Sequence, residues 1–390
     1  MSSSFDVIIV GGGLVGASLA AALGPAGVSV ALVEPQPPRP LPADETWDSR
    51  VYAISPGSAA FLEACGAWQR LLRERVTRIE AMRVYGDNLT ARLDFSAYDT
   101  GLRELAFIVE NRLLQDALWR QLRSADWVRL FCPARCATVA WESASVTLQL
   151  EGGAELTAKL LIGADGADSW VRRQADIAVK PADYGQLGVV ANFAAAKPHR
   201  GTAYQWFRRD GVLALLPLSG DRVSMVWSTA EAHARELLML AGDELAARVE
   251  AASRSALGPL EVITPPAAFP LQLQRVARLV KPRLALVGDA AHNVHPLAGQ
   301  GVNLGFRDAR ELAAVLRQRG VQTDCGDYPL LRGYERARRE DVFVLQLATD
   351  GLQKLFAYDM VWIGKARNFG LRLVDSQSQL KNLMVRHAVD

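Results

Sequence analysis

Between Val7 and Val33 the chain carries no charged side chain, a run long enough to be weighed as a membrane span. Gly11, Gly12, Gly13, Gly16, Gly24, Pro25 and Gly27 interrupt it, and they do so in a pattern. Phe5-Asp6-Val7-Ile8-Ile9-Val10 reads as a short β-branched strand, Gly11 to Gly16 as a glycine turn, the Ala-rich stretch to Leu23 as a helix, and Val28 to Val33 as a second strand. Apolar throughout and punctuated in this way, the run is expected to form a buried parallel β-α-β unit rather than a span. Gly11 permits a tight turn, Gly13 lets a pyrophosphate approach the backbone, and Gly16 lets the helix pack close to the strand. Leu14 and Val15 open that helix, whose N-terminus faces the phosphates. Glu34, ending the second strand, is placed to accept hydrogen bonds from ribose hydroxyls.

A chain of 390 residues exceeds what one core usually serves, so two lobes are expected. Half of it is hydrophobic and 22% is charged, a globular balance that excludes disorder and a coiled coil. The formal net charge of +2 and the lack of a Lys/Arg block argue against nucleic acid. Cys65, Cys132, Cys136 and Cys325 form no C-x-x-C pair, which removes a zinc site and a redox dithiol and suits a reducing cytosol. No Lys or Arg precedes Gly11, so no secretory signal is expected and the protein is placed in the cytoplasm.

Two later segments repeat the logic of strand, aspartate and glycine turn. Leu160 to Gly163 leads into Ala164-Asp165-Gly166-Ala167-Asp168 and a polar helix start at Ser169-Trp170-Val171-Arg172. Taken alone, it is an ordinary Asp-Gly turn. Leu284 to Val287 leads into Gly288-Asp289-Ala290-Ala291-His292, then His295-Pro296-Leu297-Ala298-Gly299-Gln300-Gly301-Val302-Asn303-Leu304-Gly305. Asp289 at that strand end is placed to hold the hydroxyls of a ribityl chain. Backbone amides from Gly299 to Val302, at a helix start, suit the electron-rich N1 and C2 carbonyl side of an isoalloxazine.

In this order and spacing the three segments resemble the class A flavoprotein aromatic hydroxylases, and nearly the whole chain takes part. The run from His295 to Asp308, and Arg50-Val51-Tyr52-Ala53-Ile54-Ser55 after the first unit, resemble one branch more closely, the ubiquinone-biosynthesis hydroxylases. The resemblance implies non-covalent FAD, with NAD(P)H as a transient reductant, and contacts to the cofactor from Gly11, Gly13, Leu14, Val15, Gly16, Glu34, Asp165, Gly288, Asp289, Gly299, Gly301, Val302 and Asn303. It adds Arg50 and Arg112 as cofactor contacts flanking the flavin nucleotide, with Gln115 as a weaker companion. It implies an α/β fold: a discontinuous Rossmann-like FAD domain (residues 1–75, 100–178 and 270–341), an antiparallel-sheet substrate domain (76–99 and 179–269) and a helical C-terminal segment (342–390).

Segments such as Ala203 to Phe207, Val212 to Leu218 and Arg222 to Ser228 alternate as half-buried antiparallel strands do and, with Ile79 to Phe95, are expected to build the substrate pocket. Trp206, Phe207, Trp227 and Phe269 are candidates to line it, against the commoner fate of core packing. His292 and His295 lack a third ligand, so no metal is expected. The tail from Val342 sets Leu345, Leu352, Leu355, Phe356 and Trp362 among Lys354, Lys365, Arg367 and Arg372. It reads equally as a basic helix on the inner face of the cytoplasmic membrane and as a helix pair packed on the core.

No second glycine fingerprint follows, so a separate NAD(P)H domain is not encoded. The expected cycle is that of the family: NAD(P)H reduces FAD, oxygen adds at flavin C4a, and the hydroperoxide hydroxylates an electron-rich ring. No side-chain nucleophile is required, and the flavin-facing loop with Pro296, Gly299, Gln300 and Gly301 does the protein's part at the reacting centre. The expected substrate is a polyprenylated phenol of ubiquinone synthesis, with O2 as co-substrate and a quinone-biosynthesis complex as an open possibility. A soluble phenol is the alternative. A flavin reductase or a halogenase shares the three segments, although the halogenase Trp-x-Trp-x-Ile-Pro signature is absent. A non-catalytic carrier of prenylated molecules would have little use for the two aspartate segments.

Overall fold

The computed structural model describes residues 2–41, 46–86, 92–293, 301–320 and 322–339. Pro296, Gly299 and Gln300, His295 and the tail 342–390 lie outside the described residues.

The apolar run at the start is buried because it is the centre of a sheet. Ser2–Val10 lies between Glu155–Gly163 and Val30–Val33, all parallel, with Leu284–Leu286 and Val128–Phe131 continuing the parallel order on either side. Val7, Ile8 and Ile9 are fully buried, as expected for a strand covered on both faces. Leu14–Ala22 returns over one face and packs against Asn111–Arg123 and Gly301–Gln318. Register then does the work for function. Val10 lies opposite both Gly163 and Val33, and Gly163 lies opposite Leu286, so the three glycine turns leave one edge of the sheet level with one another. Backbone bonds lock that edge: Gly11 N to Val33 O at 2.9 Å, Ala164 N to Val10 O at 2.8 Å and Val287 N to Gly163 O at 3.0 Å.

An eight-stranded second sheet stands beside the first, in the order His292–Asn293, Leu260–Val276, Val179–Ala195, Arg222–Ala230, Gly211–Leu218, Thr202–Arg208, Ala81–Tyr85 and Arg92–Ser96. All its neighbours are antiparallel except Thr202–Arg208 with Ala81–Tyr85. Glu231–Met239 and Gly242–Ala252 cover its outer face, where Phe193, Trp206, Leu213, Met225 and Trp227 are buried. Thr77–Ile79 belongs to neither large sheet. It joins a three-stranded sheet with Val51–Ile54 and Ala106–Glu110 between them.

Strand parity decides between the two fates open to the aromatics. Successive side chains of a strand point to opposite faces, and Trp206 and Trp227 fall on the outer face under the helices. Phe207 packs in a small cluster with Val84 and Leu93. Of the four, Phe269 lines the inner side. Among the described residues no helix is long and apolar enough to cross a membrane.

Candidate flavin and substrate site

A cleft of about 1440 Å³ runs from the glycine turns at the edge of the parallel sheet to the inner face of the antiparallel one. Gly11, Gly13, Leu14, Val15, Glu34, Arg50, Gln115, Asp165, Gly288, Asp289, Gly301, Val302 and Asn303 all line it, so segments distant in sequence form one wall.

The glycines divide by what a side chain would meet. At Gly13 and Gly301 nothing lies within 4 Å of a built Cβ, so both backbones face open cleft. At Gly16 the Cβ would sit 2.0 Å from the Gly11 carbonyl oxygen, which makes this residue a packing contact rather than part of the lining. Gly11 and Gly288 take φ of +106° and +61°, the left-handed region that favours glycine. Glu34 Oε2 accepts a hydrogen bond from Gly12 N at 2.6 Å, and Trp119 Nε1 donates to Gly12 O at 2.8 Å, so the turn is held from both sides.

Asp165 combines the two readings open for it. Its Oδ1 accepts from the Ser169 hydroxyl at 2.5 Å and its Oδ2 from Val171 N at 3.0 Å, organising the start of the helix Trp170–Gln174, while its surface opens to the cleft. Arg172, buried beneath, donates to Ala167 O at 2.7 Å and Ala290 O at 3.1 Å and so ties the second glycine segment to the third. Arg112 is not part of the lining. Its guanidinium pairs with Asp48, Nε to Oδ2 at 3.6 Å, and Asp48 Oδ1 accepts from Arg50 N at 3.0 Å. Arg112 therefore supports the Arg50 strand from behind. Arg50 carries its charge 5.4 Å from the centre of the Tyr52 ring, and both residues line the cleft.

Asp289 is open to the cleft but walled by protein, and this desolvation raises its carboxyl above the ordinary value while His292 and Arg50 pull it down. Burial likewise raises the Tyr52 phenol. Beneath Asp289 lies a network that sequence reasoning missed. Asp308, fully buried on Gly301–Gln318, accepts from Gly288 N at 2.9 Å and His292 Nε2 at 2.6 Å through Oδ2, and from Arg338 Nε at 2.7 Å through Oδ1. Burial would raise its carboxyl, but His292 and Arg338 outweigh it and hold the group below its ordinary value. His292 is thus a structural partner of the turn, and among the described residues no cluster of three potential metal ligands exists. Asn303 fastens the same helix to the Arg50 strand, accepting from Ser55 N at 3.0 Å and donating to Ala53 O at 2.7 Å. The sequence signal for both ties was present in the run from Asn303 to Asp308. Their partners, more than 200 residues away for Asn303 and on a separate turn for Asp308, carried no signal of pairing.

These residues fit an extended dinucleotide bearing a ribityl chain: backbone left bare at Gly13, an acidic residue at the second strand end, and a carboxylate projecting from the third turn. The family described as FAD binding domain matches residues 4–343. The chain is 36% identical to the ubiquinone hydroxylase UbiL of Rhodospirillum rubrum over 98% of its length and 89% of that protein's. It is 35% identical to the 3-demethoxyubiquinol 3-hydroxylase of Escherichia coli K12, covering 98% of each. It is 34% identical to the human mitochondrial ubiquinone biosynthesis monooxygenase COQ6, covering 98% of this chain and 92% of that one. Among solved structures, PqsL of Pseudomonas aeruginosa, a probable FAD-dependent monooxygenase, superposes with a TM-score of 0.79 at 25% identity over 95% of this chain and all of that one. The p-nitrophenol 4-monooxygenase PnpA of Pseudomonas putida has the same fold, with a TM-score of 0.80 at 19% identity over 99% of both chains. With these matches over nearly its whole length, the chain belongs to the FAD-dependent aromatic-ring monooxygenases, in the branch of the ubiquinone-biosynthesis hydroxylases.

Proposed function

We propose that this enzyme hydroxylates the ring of a polyprenylated phenol on the way to ubiquinone, with FAD laid along the cleft from Glu34 to the inner face of the large sheet. The observation that carries the substrate class is the lining of the far end. Ile79, Met82, Phe95, Leu105, Leu216 and Phe269 make an apolar chamber continuous with the flavin end, suited to a ring that bears a hydrocarbon tail. The relatives named for ubiquinone hydroxylation, at 34 to 36% identity, support the same substrate.

FAD, when bound, supplies the redox chemistry: it takes the hydride of NAD(P)H and uses those electrons to insert one atom of O2 into an electron-rich ring. The protein's own residues bind, orient and shield. The amides around Gly13 and the N-terminus of Leu14–Ala22 would receive the pyrophosphate, and Glu34, which also accepts from Gly12 N, would accept from ribose hydroxyls. Asp289, open to the cleft at the third turn, would accept hydrogen bonds from the ribityl hydroxyls. Arg50 lies beside it with its positive charge, next to the Tyr52 phenol. The N-terminus of Gly301–Gln318, with open space at Gly301 and Val302 also lining the cleft, would offer amide donors to charge developing on the reduced ring system. The apolar chamber excludes water from the reacting oxygen. Attachment of the basic tail to an anionic membrane surface, which would meet a lipid substrate at its source, belongs to the same proposal. Sedimentation of the full chain with phosphatidylglycerol vesicles tests it.

The functional test is complementation. Expressed in bacterial strains each lacking one ring hydroxylase of ubiquinone synthesis, the chain is expected to restore ubiquinone in at least one, read by mass spectrometry of the quinone lipids. The rescued strain identifies the ring carbon. Failure in every strain by a protein that still carries FAD would overturn the lipid substrate and leave a soluble phenol.

A further inference from the structure

Gly12 occupies a free position of the dinucleotide glycine pattern, and its backbone does not call for glycine, since its φ lies outside the left-handed region. What excludes a side chain there is Trp119. A Cβ on Gly12 would lie 2.7 Å from Trp119 Cζ2 and 3.1 Å from Glu34 Cβ. Trp119 is buried on Asn111–Arg123, about one helical turn beyond Gln115, which lines the cleft. Its indole N–H donates to the Gly12 carbonyl at 2.8 Å. A peptide unit is planar and, when trans, points its carbonyl and its N–H in opposite directions. The Gly12 carbonyl and the Gly13 N–H belong to one such unit, and the cis bond among the described residues lies elsewhere, at Cys132-Pro133. Gly13 lines the cleft, whereas Gly12 and Trp119 do not. By drawing the carbonyl to the protein side, Trp119 turns the Gly13 N–H toward the cleft. Glu34 fixes the preceding peptide unit through Gly12 N at 2.6 Å, so both units flanking Gly12 are clamped. Glycine otherwise has the most backbone freedom to lose.

We infer that Trp119 is a positioning residue that aims the Gly13 amide at the pyrophosphate of FAD. It touches neither cofactor nor substrate and acts through Gly12. Packing alone would be served by phenylalanine or leucine at this position; the indole adds one donor and no acceptor, which suits it to holding a carbonyl. Gly13 is the N-cap of Leu14–Ala22 and makes no side-chain cap, so the orientation of its backbone decides what this end of the helix presents to an anion. With that orientation set before the ligand arrives, binding need not spend affinity on ordering a run of three glycines.

The inference rests on the reading that the Gly13 amide receives the pyrophosphate, and the experiment separates the two. Full-length apoprotein is titrated with FAD for the parent, Trp119→Phe and Gly13→Ala, and the bound FAD of each is examined by phosphorus NMR. Trp119→Phe keeps an aromatic ring against Gly12 and removes the N–H. The expected result is a rise of about fivefold or more in its FAD dissociation constant, the size of one lost hydrogen bond. The phosphorus resonances of its bound FAD should move from the parent positions while the visible spectrum of the flavin stays as in the parent. An FAD affinity within about twofold of the parent overturns the inference. So does weaker binding with phosphorus resonances unchanged, which is the signature of a packing role alone. Should Trp119→Phe fail to fold, Trp119→benzothienylalanine, which replaces the N–H by sulfur within the same ring shape, takes its place with the same two outcomes. Parent-like binding by Trp119→Phe alone removes this inference; parent-like binding by Gly13→Ala as well removes the reading of the pyrophosphate site beneath it.

Discussion

Gly13 and Gly16, three residues apart in one turn, are glycines for opposite reasons, and their substitutions separate binding from folding. A Cβ at Gly13 meets nothing within 4 Å, and its φ of −66° suits any residue. Gly13→Ala is expected to keep apo stability within about 1 kcal/mol of the parent. It should weaken FAD by about tenfold or more, because the methyl occupies space the pyrophosphate needs. At Gly16 a Cβ would lie 2.0 Å from the Gly11 oxygen and 3.0 Å from the Ala164 Cβ. Gly16→Ala is therefore expected to destabilise the apoprotein itself, by about 1–3 kcal/mol. Thermal unfolding without flavin and fluorescence titration with FAD read the two effects.

Asp308 adds a pH-dependent expectation at the same scale. Its carboxyl is held below the ordinary aspartate value of 3.8 in the folded protein, so its stabilisation is fully present above that pH and is lost as pH falls through the lower folded value. Asp308→Asn would remove the buried carboxylate that pairs with the Arg338 guanidinium, itself 3% exposed, and with His292. A cost of about 3–5 kcal/mol at neutral pH is expected. Denaturant unfolding at neutral pH and on acidification below 3.8 checks this, since the gap between parent and variant should narrow in acid.

At the scale of elements, the helix Gly301–Gln318 is held in place by side chains that reach across the chain, above all by Asn303 on Ala53 and Ser55. Asn303→Ala should leave a buried amide and carbonyl unmatched, costing about 1–3 kcal/mol, and should raise the flavin dissociation constant because Gly301 and Val302 move with the helix. Asn303→Asp, which keeps the acceptor for Ser55 N, is expected to fall between the two. What was legible in the sequence follows from the same physics. Strand ends could be read because glycine and aspartate turns are local signals, and the level register of Val10, Val33, Gly163 and Leu286 follows once those strands are parallel neighbours. The phase of the second sheet could not. Ala203-Tyr204-Gln205-Trp206-Phe207 has apolar residues on both faces, and alternation does not tell which face meets a ligand. Small residues, Ala203 and Ala214 among them, turned out to face the cleft, which needs room for a ligand, while Trp206 and Trp227 filled the wider gap under two helices. The pairing of Arg112 with Asp48 was hidden for a related reason, since a charged residue at a helix start gives no sign of its ionic partner.

On the scale of the whole molecule, two sheets of different character meet at one cleft. The parallel sheet ends in turns that bare backbone donors and project acidic groups, and the antiparallel sheet offers a mostly apolar wall. That division matches a reaction in which a bound dinucleotide supplies the redox chemistry and the protein supplies position and dryness. The measurement that tests it most directly uses the purified flavoprotein, NAD(P)H, a prenylated phenol and O2 labelled with oxygen-18. One labelled oxygen atom on the ring, with formation dependent on flavin, is the predicted result. An unmodified ring, with NAD(P)H oxidised at the same rate whether or not the phenol is present, would contradict it.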